Sequence, residues 1–258
     1  MSDQVPEPVT PGAPRLGRHQ IMRQHWKDVT FLHWRVDAAR VAPLLPTGTV
    51  PDVFDGSSWV GLIPFRMVGA GLGTGPAVPW LGTFAETNVR LYAVDSTGRR
   101  GVVFRSLDAS RLGVVLGARL TFGLPYCWAR MRVTGVGRDV EYTTTRRWPG
   151  SRGVTSRVVV RPEAVVVQDE PLAHFLTARW GLHTRWAGRS LFVPNEHATW
   201  PLHTATLRHL DDGLVAAAGL PGISDREPDS VLWSAGVRSV FGIPISSSRP
   251  PTPTTSAS

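Results

Sequence analysis

Cysteine, lysine and long apolar runs are almost missing from this chain of 258 residues. The single Cys127 excludes an intramolecular disulfide framework and a cysteine-ligated zinc site. The longest apolar runs, VGLIP at 60–64 and LVAAAGL at 214–220, fall far short of the roughly 18 residues a membrane span needs. Residues 1–17 are polar and Pro-rich with no apolar h-region, so no signal peptide is read and a cytoplasmic location is expected. Of 28 Lys+Arg only Lys27 is a lysine, leaving 27 arginines and a formal net charge of +8. Along the sequence these arginines are scattered, with Arg99–Arg100 and Arg146–Arg147 the only adjacent pairs. No basic stripe of the kind that tracks nucleic acid is visible, so the charge is read as favouring a small anion, with no nucleic-acid or membrane partner expected. There is no GxSxG elbow, no Walker loop and no dinucleotide fingerprint. The glycine-rich stretch 69–75 leads into Pro76 and Pro79 instead of a helix, and reads as a loop able to cover a barrel mouth.

What the chain does have is enough apolar residue, 42%, for a real core, together with 26 Gly, 22 Pro and 10 Trp. Both ends, 1–18 and 246–258, are rich in Pro, Ser, Thr and Gly without periodicity and read as disordered tails around one domain at 19–245. Strands bounded by Gly and Pro are predicted at 28–36, 58–68, 84–94, 101–107, 127–136, 138–146, 155–167, 189–194, 202–210, 213–219 and 231–236. Helices are predicted at 38–45 behind Asp37, at 109–120 behind Asp108, and after Asp169, where Leu172, Phe175, Leu176 and Arg179 recur at helical spacing. The class is α+β, mainly antiparallel β, built round a curved sheet or barrel with a few short peripheral helices.

Alternation along two strands points to a site. In 84–94 one face carries Phe84, Glu86, Asn88, Arg90 and Tyr92, and the other Ala85, Thr87, Val89, Leu91 and Ala93. In 30–37 Phe31, His33 and Arg35 oppose Leu32, Trp34 and Val36. The mixed faces are either solvated surface or the polar lining of a ligand cavity.

The blocks 28–67, FAETNVRLY at 84–92, 101–131, PLAHFLTARWGLHT at 171–184, HATWPLHTA at 197–205 and 216–237 resemble the YqjF-like family of bacterial proteins over nearly all of residues 25–240. That resemblance implies the acetoacetate-decarboxylase-like superfamily, whose fold is a closed or cone-shaped antiparallel β-barrel with short outer helices and a pocket inside. It also implies a test of chemistry. The decarboxylase works through a Schiff-base lysine with a cationic neighbour, and by segment order its tandem lysines would fall near Phe122, Gly123, Leu124, Pro125 and Tyr126, where this chain has none. Arginine stays protonated and is no substitute for an amine nucleophile.

The candidate ligand-binding set is therefore His33, Arg35, Glu86, Asn88, Arg90, Tyr92, Ser106 and Arg119, with Glu86 the candidate catalytic acid or base. The bland alternatives stand beside it: a structural Glu86–arginine pair, Asp108 as a helix cap and Arg119 as a solvated helix residue. His197, His203 and His209 match no metal-ligand spacing, and Cys127 reads as a small buried hydrophobe, so no metal and no cofactor are expected. The leading expectation is a barrel that binds a small anionic or carbonyl ligand, with homo-oligomerisation open. The alternatives are a lyase- or hydratase-like enzyme using Glu86 with Arg35 or Arg90, and a protein-interaction module anchored by tryptophans.

Overall fold

The computed structural model describes residues 5–17, 19–167 and 169–247. The strands are β1 Gln20–Val36, β2 Thr49–Pro51, β3 Ser58–Leu72, β4 Phe84–Asp95, β5 Arg100–Ala109, β6 Tyr126–Val136, β7 Asp139–Trp148, β8 Thr155–Val166, β9 Gly181–Trp186, β10 Arg189–His197, β11 Leu202–Asp212, β12 Ser230–Gly242 and β13 Ile245–Ser246. The helices are α1 Ala38–Val41, which runs into a short 3-10 turn, α2 Leu112–Phe122, α3 Pro171–Thr177 and α4 Leu214–Ala217.

All thirteen strands join one sheet in the order β13-β10-β9-β5-β6-β7-β8-β11-β12-β1-β3-β4-β2. Pairings β4–β5 and β10–β12 bring distant parts of that order back together. Most neighbours are antiparallel, but β5 runs parallel to β6 through the α2 crossover and touches β9 in parallel at one position. With β5 shared between β4, β6 and β9, the sheet curls into a partial ring, the curved, mainly antiparallel architecture expected.

The strands β12, β1, β3 and β4 form a wall covered on both faces. Even-numbered Leu32, Trp34 and Val36 of β1 meet Val60, Leu62, Val89 and Leu91 on one side, closed over by Tyr142, Val158 and Val160 and by α4. Odd-numbered Phe31, Ile63, Phe65 and Met67 face the other side, beneath Val115 of α2 and Ala173 of α3. Further along that second side Trp59, Tyr92, Phe175, Leu176 and Phe241 make a continuation of the core. Burial on both faces turns the alternating strand into an unbroken buried run, as from Val29 to Trp34.

Several local expectations are corrected. Residues 213–219 hold α4 and not a strand, because the Asp212 carboxylate accepts from the Val215 N–H at 3.0 Å and starts a helical turn. Asp108 does not cap α2: its carboxylate is bound by Arg146 at 2.8 and 2.6 Å, β5 continues to Ala109, and the helix opens at Leu112 without a side-chain cap. The third helix follows Asp169 as expected, with Glu170 at its N-cap position and Pro171 in its first turn. β9 has no predicted counterpart, and the first residues of the glycine-rich stretch continue β3 to Leu72. Of the expected tails, residues 5–17 have no regular secondary structure but are tied down, with Glu7 N–H bonded to the Gly98 carbonyl and Leu16 N–H to Glu196. Residues 1–4, 18 and 248–258 lie outside the described residues.

One glycine sets the seam between β1 and β12. Gly236 sits opposite Lys27 with φ of 119°, and a Cβ there would run into the Trp26 carbonyl. Gly222, with φ of 81°, faces open space. Gly236→Ala is expected to lose more than ~3 kcal/mol in urea denaturation, and Gly222→Ala only about 1 kcal/mol, the cost of backbone strain alone.

Candidate functional site

The polar row of β4 lies on the second side of the wall. Glu86, Asn88 and Tyr92 are buried and Arg90 is half-buried, so these side chains line the interior and not the outer surface. His33 of β1 is fully buried beside them and lies against Gly61, whose missing side chain leaves room for the ring. At the centre is the Tyr92 hydroxyl. It accepts from Arg90 Nε at 3.0 Å and donates to the Leu176 carbonyl at 3.0 Å, while His33 Nε2 stands 2.6 Å away. Since the phenol proton is committed to Leu176, Nε2 carries the imidazole hydrogen and Nδ1 is left as a lone pair. That Nδ1 is buried without a partner among the described residues. Burial first, then the charges of Arg90 and Arg179, hold His33 well below the usual histidine range, so it is neutral.

Helix α3 supplies the floor of this end. Its last carbonyls have no helical partner; Leu176 takes Arg90 Nη2 at 2.8 Å and Phe175 takes Arg179 Nε at 2.6 Å. Arg179 is buried, stacked 4.8 Å from the Tyr92 ring and 4.2 Å from Phe175. Its Nη1 meets Asp52 at 2.5 Å, and its buried Nη2 has no hydrogen-bond partner among the described residues. Asp52 is also bound by Arg100, so one carboxylate serves two guanidiniums. Arg90 has no carboxylate partner among the described residues. This end of the row therefore holds more positive charge than its acids balance.

The other end is uncharged. Glu86 accepts from the Tyr126 hydroxyl at 3.1 Å. Burial pushes its carboxyl up to about 8, against the opposing hydrogen bonds of Tyr126 and Asn88 and with a smaller push from Asp108. At neutral pH Glu86 is a buried carboxylic acid. Asn88 stands between the two ends with its Oδ1 buried and without a partner among the described residues. Orphaned polar atoms of this kind are costly unless water or a ligand completes them.

A cleft of about 370 Å³ lies along α3, with Ala173, Thr177, Trp200 and Leu202 in its lining and none of the row's side chains among its walls. Ala173, Trp200 and Leu202 belong to the same buried cluster as Phe31. The Trp200 ring lies 5.0 Å from Phe31, over which the Arg90 guanidinium sits at 5.6 Å. His197, lowered to about 4 chiefly by burial, completes the aromatic wall between Trp26, Trp180 and Trp200. A second groove, of about 460 Å³, contains none of the expected site residues.

The structure thus brings His33, Glu86, Asn88, Arg90 and Tyr92 onto one interior face and leaves three expected residues outside it. Arg35 pairs with Asp55 at 3.1 Å near the surface. Ser106 stands opposite Val89, on the first side of the wall, because a bulge beside Arg90 shifts the register of β5. Arg119 is exposed on α2, bound to the Tyr126 carbonyl and 5.7 Å from the Trp148 ring. Arg179, Asp52 and Tyr126 complete the site without having been expected in it. Arg179 carried a signal: it is the one charged residue in the helical recurrence that otherwise marks the buried face of α3. The exposed Lys27 lies away from the row, and Cys127 is buried with its thiol pushed up by burial. Among the described residues no three His, Cys, Asp or Glu side chains gather as a metal site, and no helix is long and apolar enough to cross a membrane.

Residues 23–238 match the DUF2071 family, described as an uncharacterized conserved protein. The chain belongs to that family. It is 30% identical over 227 residues to the uncharacterized protein YqjF of Bacillus subtilis (strain 168), covering 87% of this chain and 91% of that one. Among solved structures it is similar in fold to acetoacetate decarboxylase from Legionella pneumophila, with TM-score 0.62 and 12% identity over 91% of this chain and 92% of that one. An acetoacetate decarboxylase-like enzyme from Sphingomonas wittichii RW1 matches with TM-score 0.61 and 14% identity, over 95% and 98% of the two chains. The enduracididine biosynthesis enzyme MppR complexed with pyruvate matches with TM-score 0.59 and 16% identity, over 88% and 90%. The acetoacetate-decarboxylase-like fold is shared; at these identities the likeness is one of fold.

Glu86 makes a pH prediction. Its carboxyl titrates at about 8 when folded and near the ordinary 4.5 when unfolded. Its contribution is fully present below about pH 4.5 and is lost as pH rises through about 8. The Tm of Glu86→Gln, which keeps an uncharged partner for Tyr126, is expected to gain on wild type steadily between pH 5 and about 8. A Tm difference that stays flat over that interval would mean that Glu86 is ionised in the fold.

Proposed function

We propose that the interior row of β4 binds a small anionic ligand bearing a carbonyl, with its carboxylate held by Arg90 and Arg179 and its carbonyl end directed to Asn88 and Glu86. The observation that carries this reading is the pair of arginines sharing one interior with too few acids among the described residues, one of them with a buried Nη2 that none of those residues satisfies. A carboxylate supplies both the missing charge and the missing acceptor, and a guanidinium is shaped to take it in two parallel hydrogen bonds. The pyruvate complex of the similarly folded MppR supports a ligand of this class.

A second reading, an enzyme of lyase or hydratase type, is favoured by the state of Glu86. A carboxylic acid protonated at neutral pH in a dry site is suited to deliver a proton to an enolate or carbanion. Without an interior lysine such chemistry would run with no imine between protein and substrate.

The test is a thermal-shift series with pyruvate, acetoacetate and related 2-oxo and 3-oxo acids. A hundredfold excess over Kd adds about 2.7 kcal/mol, roughly 5–10 °C for a domain of this size. Arg90→Gln is expected to abolish the shift given by the best acid. Full retention would remove Arg90 from the site. Glu86→Gln is expected to leave binding within a few-fold, and on the enzymatic reading to abolish turnover while doing so.

A further inference from the structure

Arginines that are scattered along the sequence converge in space in the second groove. It opens where β5 stops at Ala109: beyond that point the start of β4 and the middle of β6 no longer share a strand between them. Arg66, Arg111, Arg130, Arg132 and Arg147 line this gap together with Trp128, in about 460 Å³. Arg130 and Arg132 alternate on β6 and are both exposed. Of the five guanidiniums only Arg66 meets a carboxylate among the described residues, Asp28 at 3.5 Å. Arg111 is held 4.3 Å over the ring of the exposed Trp80, and Arg147 4.8 Å over Trp128. The Arg111 Nε is buried with no hydrogen-bond partner among the described residues. Ser110 and Arg111, at the same end of the groove, lead directly into α2, which has no side-chain cap and no acidic residue in its first turn.

Five like charges in one groove repel one another, and among the described residues only Asp28 forms an ion pair with any of them. The aromatic stacks hold two of the arginines in place without neutralising them. A monocarboxylate would meet one guanidinium and leave the others opposed. A group with three or four negative charges and many acceptor oxygens would engage several at once, and the N-terminal N–H groups of α2 add to the same field. We propose that this groove binds the polyphosphate group of a small molecule, at a site separate from the interior row. The same chemistry is offered by inorganic polyphosphate and by a nucleoside triphosphate. Trp128 and Trp80 at the rim would distinguish the two by stacking on a base.

The experiment is isothermal titration of the full chain at low and moderate salt with inorganic tripolyphosphate, ATP, and a single-stranded oligonucleotide of matched charge. Tripolyphosphate and ATP are both expected to bind. Their affinity should drop at least tenfold in Arg111→Gln/Arg147→Gln and in Arg130→Gln/Arg132→Gln, whose exposed positions on β6 keep the second variant folded. A control pair outside the groove, Arg189→Gln/Arg208→Gln, should bind as wild type does. Equal affinity for the two probes assigns the inorganic group; tighter binding of ATP assigns the nucleotide. The proposal is overturned if neither probe binds, if the control pair loses as much as the groove variants, or if the oligonucleotide binds more tightly than both.

Discussion

The wall of β12, β1, β3 and β4, with protein packed on both its faces, is the constraint on which the rest of the molecule depends. A strand solvated on one face can carry charges there freely. A strand buried on both must fill one face with apolar side chains and satisfy every polar atom on the other. The first face meets the first requirement with Leu32, Trp34, Val60, Leu62, Val89 and Leu91. The second face carries Glu86, Asn88 and Arg90 of β4 into the interior. Burying an apolar side chain returns about 1.5–3 kcal/mol, and a buried unpaired polar group takes back a similar amount. A polar row in this place is therefore tolerable only because Tyr92, His33 and the last carbonyls of α3 bond most of it.

What remains unbonded gives the row its chemical character. The protein settles its carboxylates in two different ways. Asp52 is held in ion pairs by Arg179 and Arg100, while Glu86 keeps its proton beside Tyr126. One end of the interior is thus cationic and the other a neutral hydrogen-bond donor, a separation set by where arginines reach along the strand. The solved proteins of similar fold include decarboxylases and an enzyme holding pyruvate. This chain has the fold with its single lysine on the outside. The fold constrains where a ligand can lie and leaves the chemistry to the side chains.

Much of this was legible in the sequence, and the failures have physical causes. Strand alternation placed Glu86, Asn88, Arg90 and Tyr92 on one face correctly, because periodicity is a property of the backbone. It could not say that this face was interior, since that depends on α3 and on β9 and β10 arriving from far along the chain. Arg35 shares the face of His33 by alternation, but it lies at the frayed end of the wall, where Asp55 claims it. Ser106 was lost to a bulge, which adds one residue to a strand and turns those beyond it to the other face. Asp108 has the residue type and position of a helix cap, and only the tertiary partner Arg146 shows otherwise. Arg179 was visible as part of a helical pattern, yet the meaning of a charge on a buried helix face depends on Tyr92 and Asp52 across the interior. The even scatter of arginines along the chain concealed their convergence where β5 ends.

The central claim, that the interior end of the β4 row is an anion site, is tested most directly by anomalous diffraction from crystals equilibrated with sodium bromide. The account predicts a bromide peak in the interior, within hydrogen-bond distance of Arg90 and Arg179 Nη2. An interior that shows no such peak while bromide occupies arginines on the outer surface would contradict it.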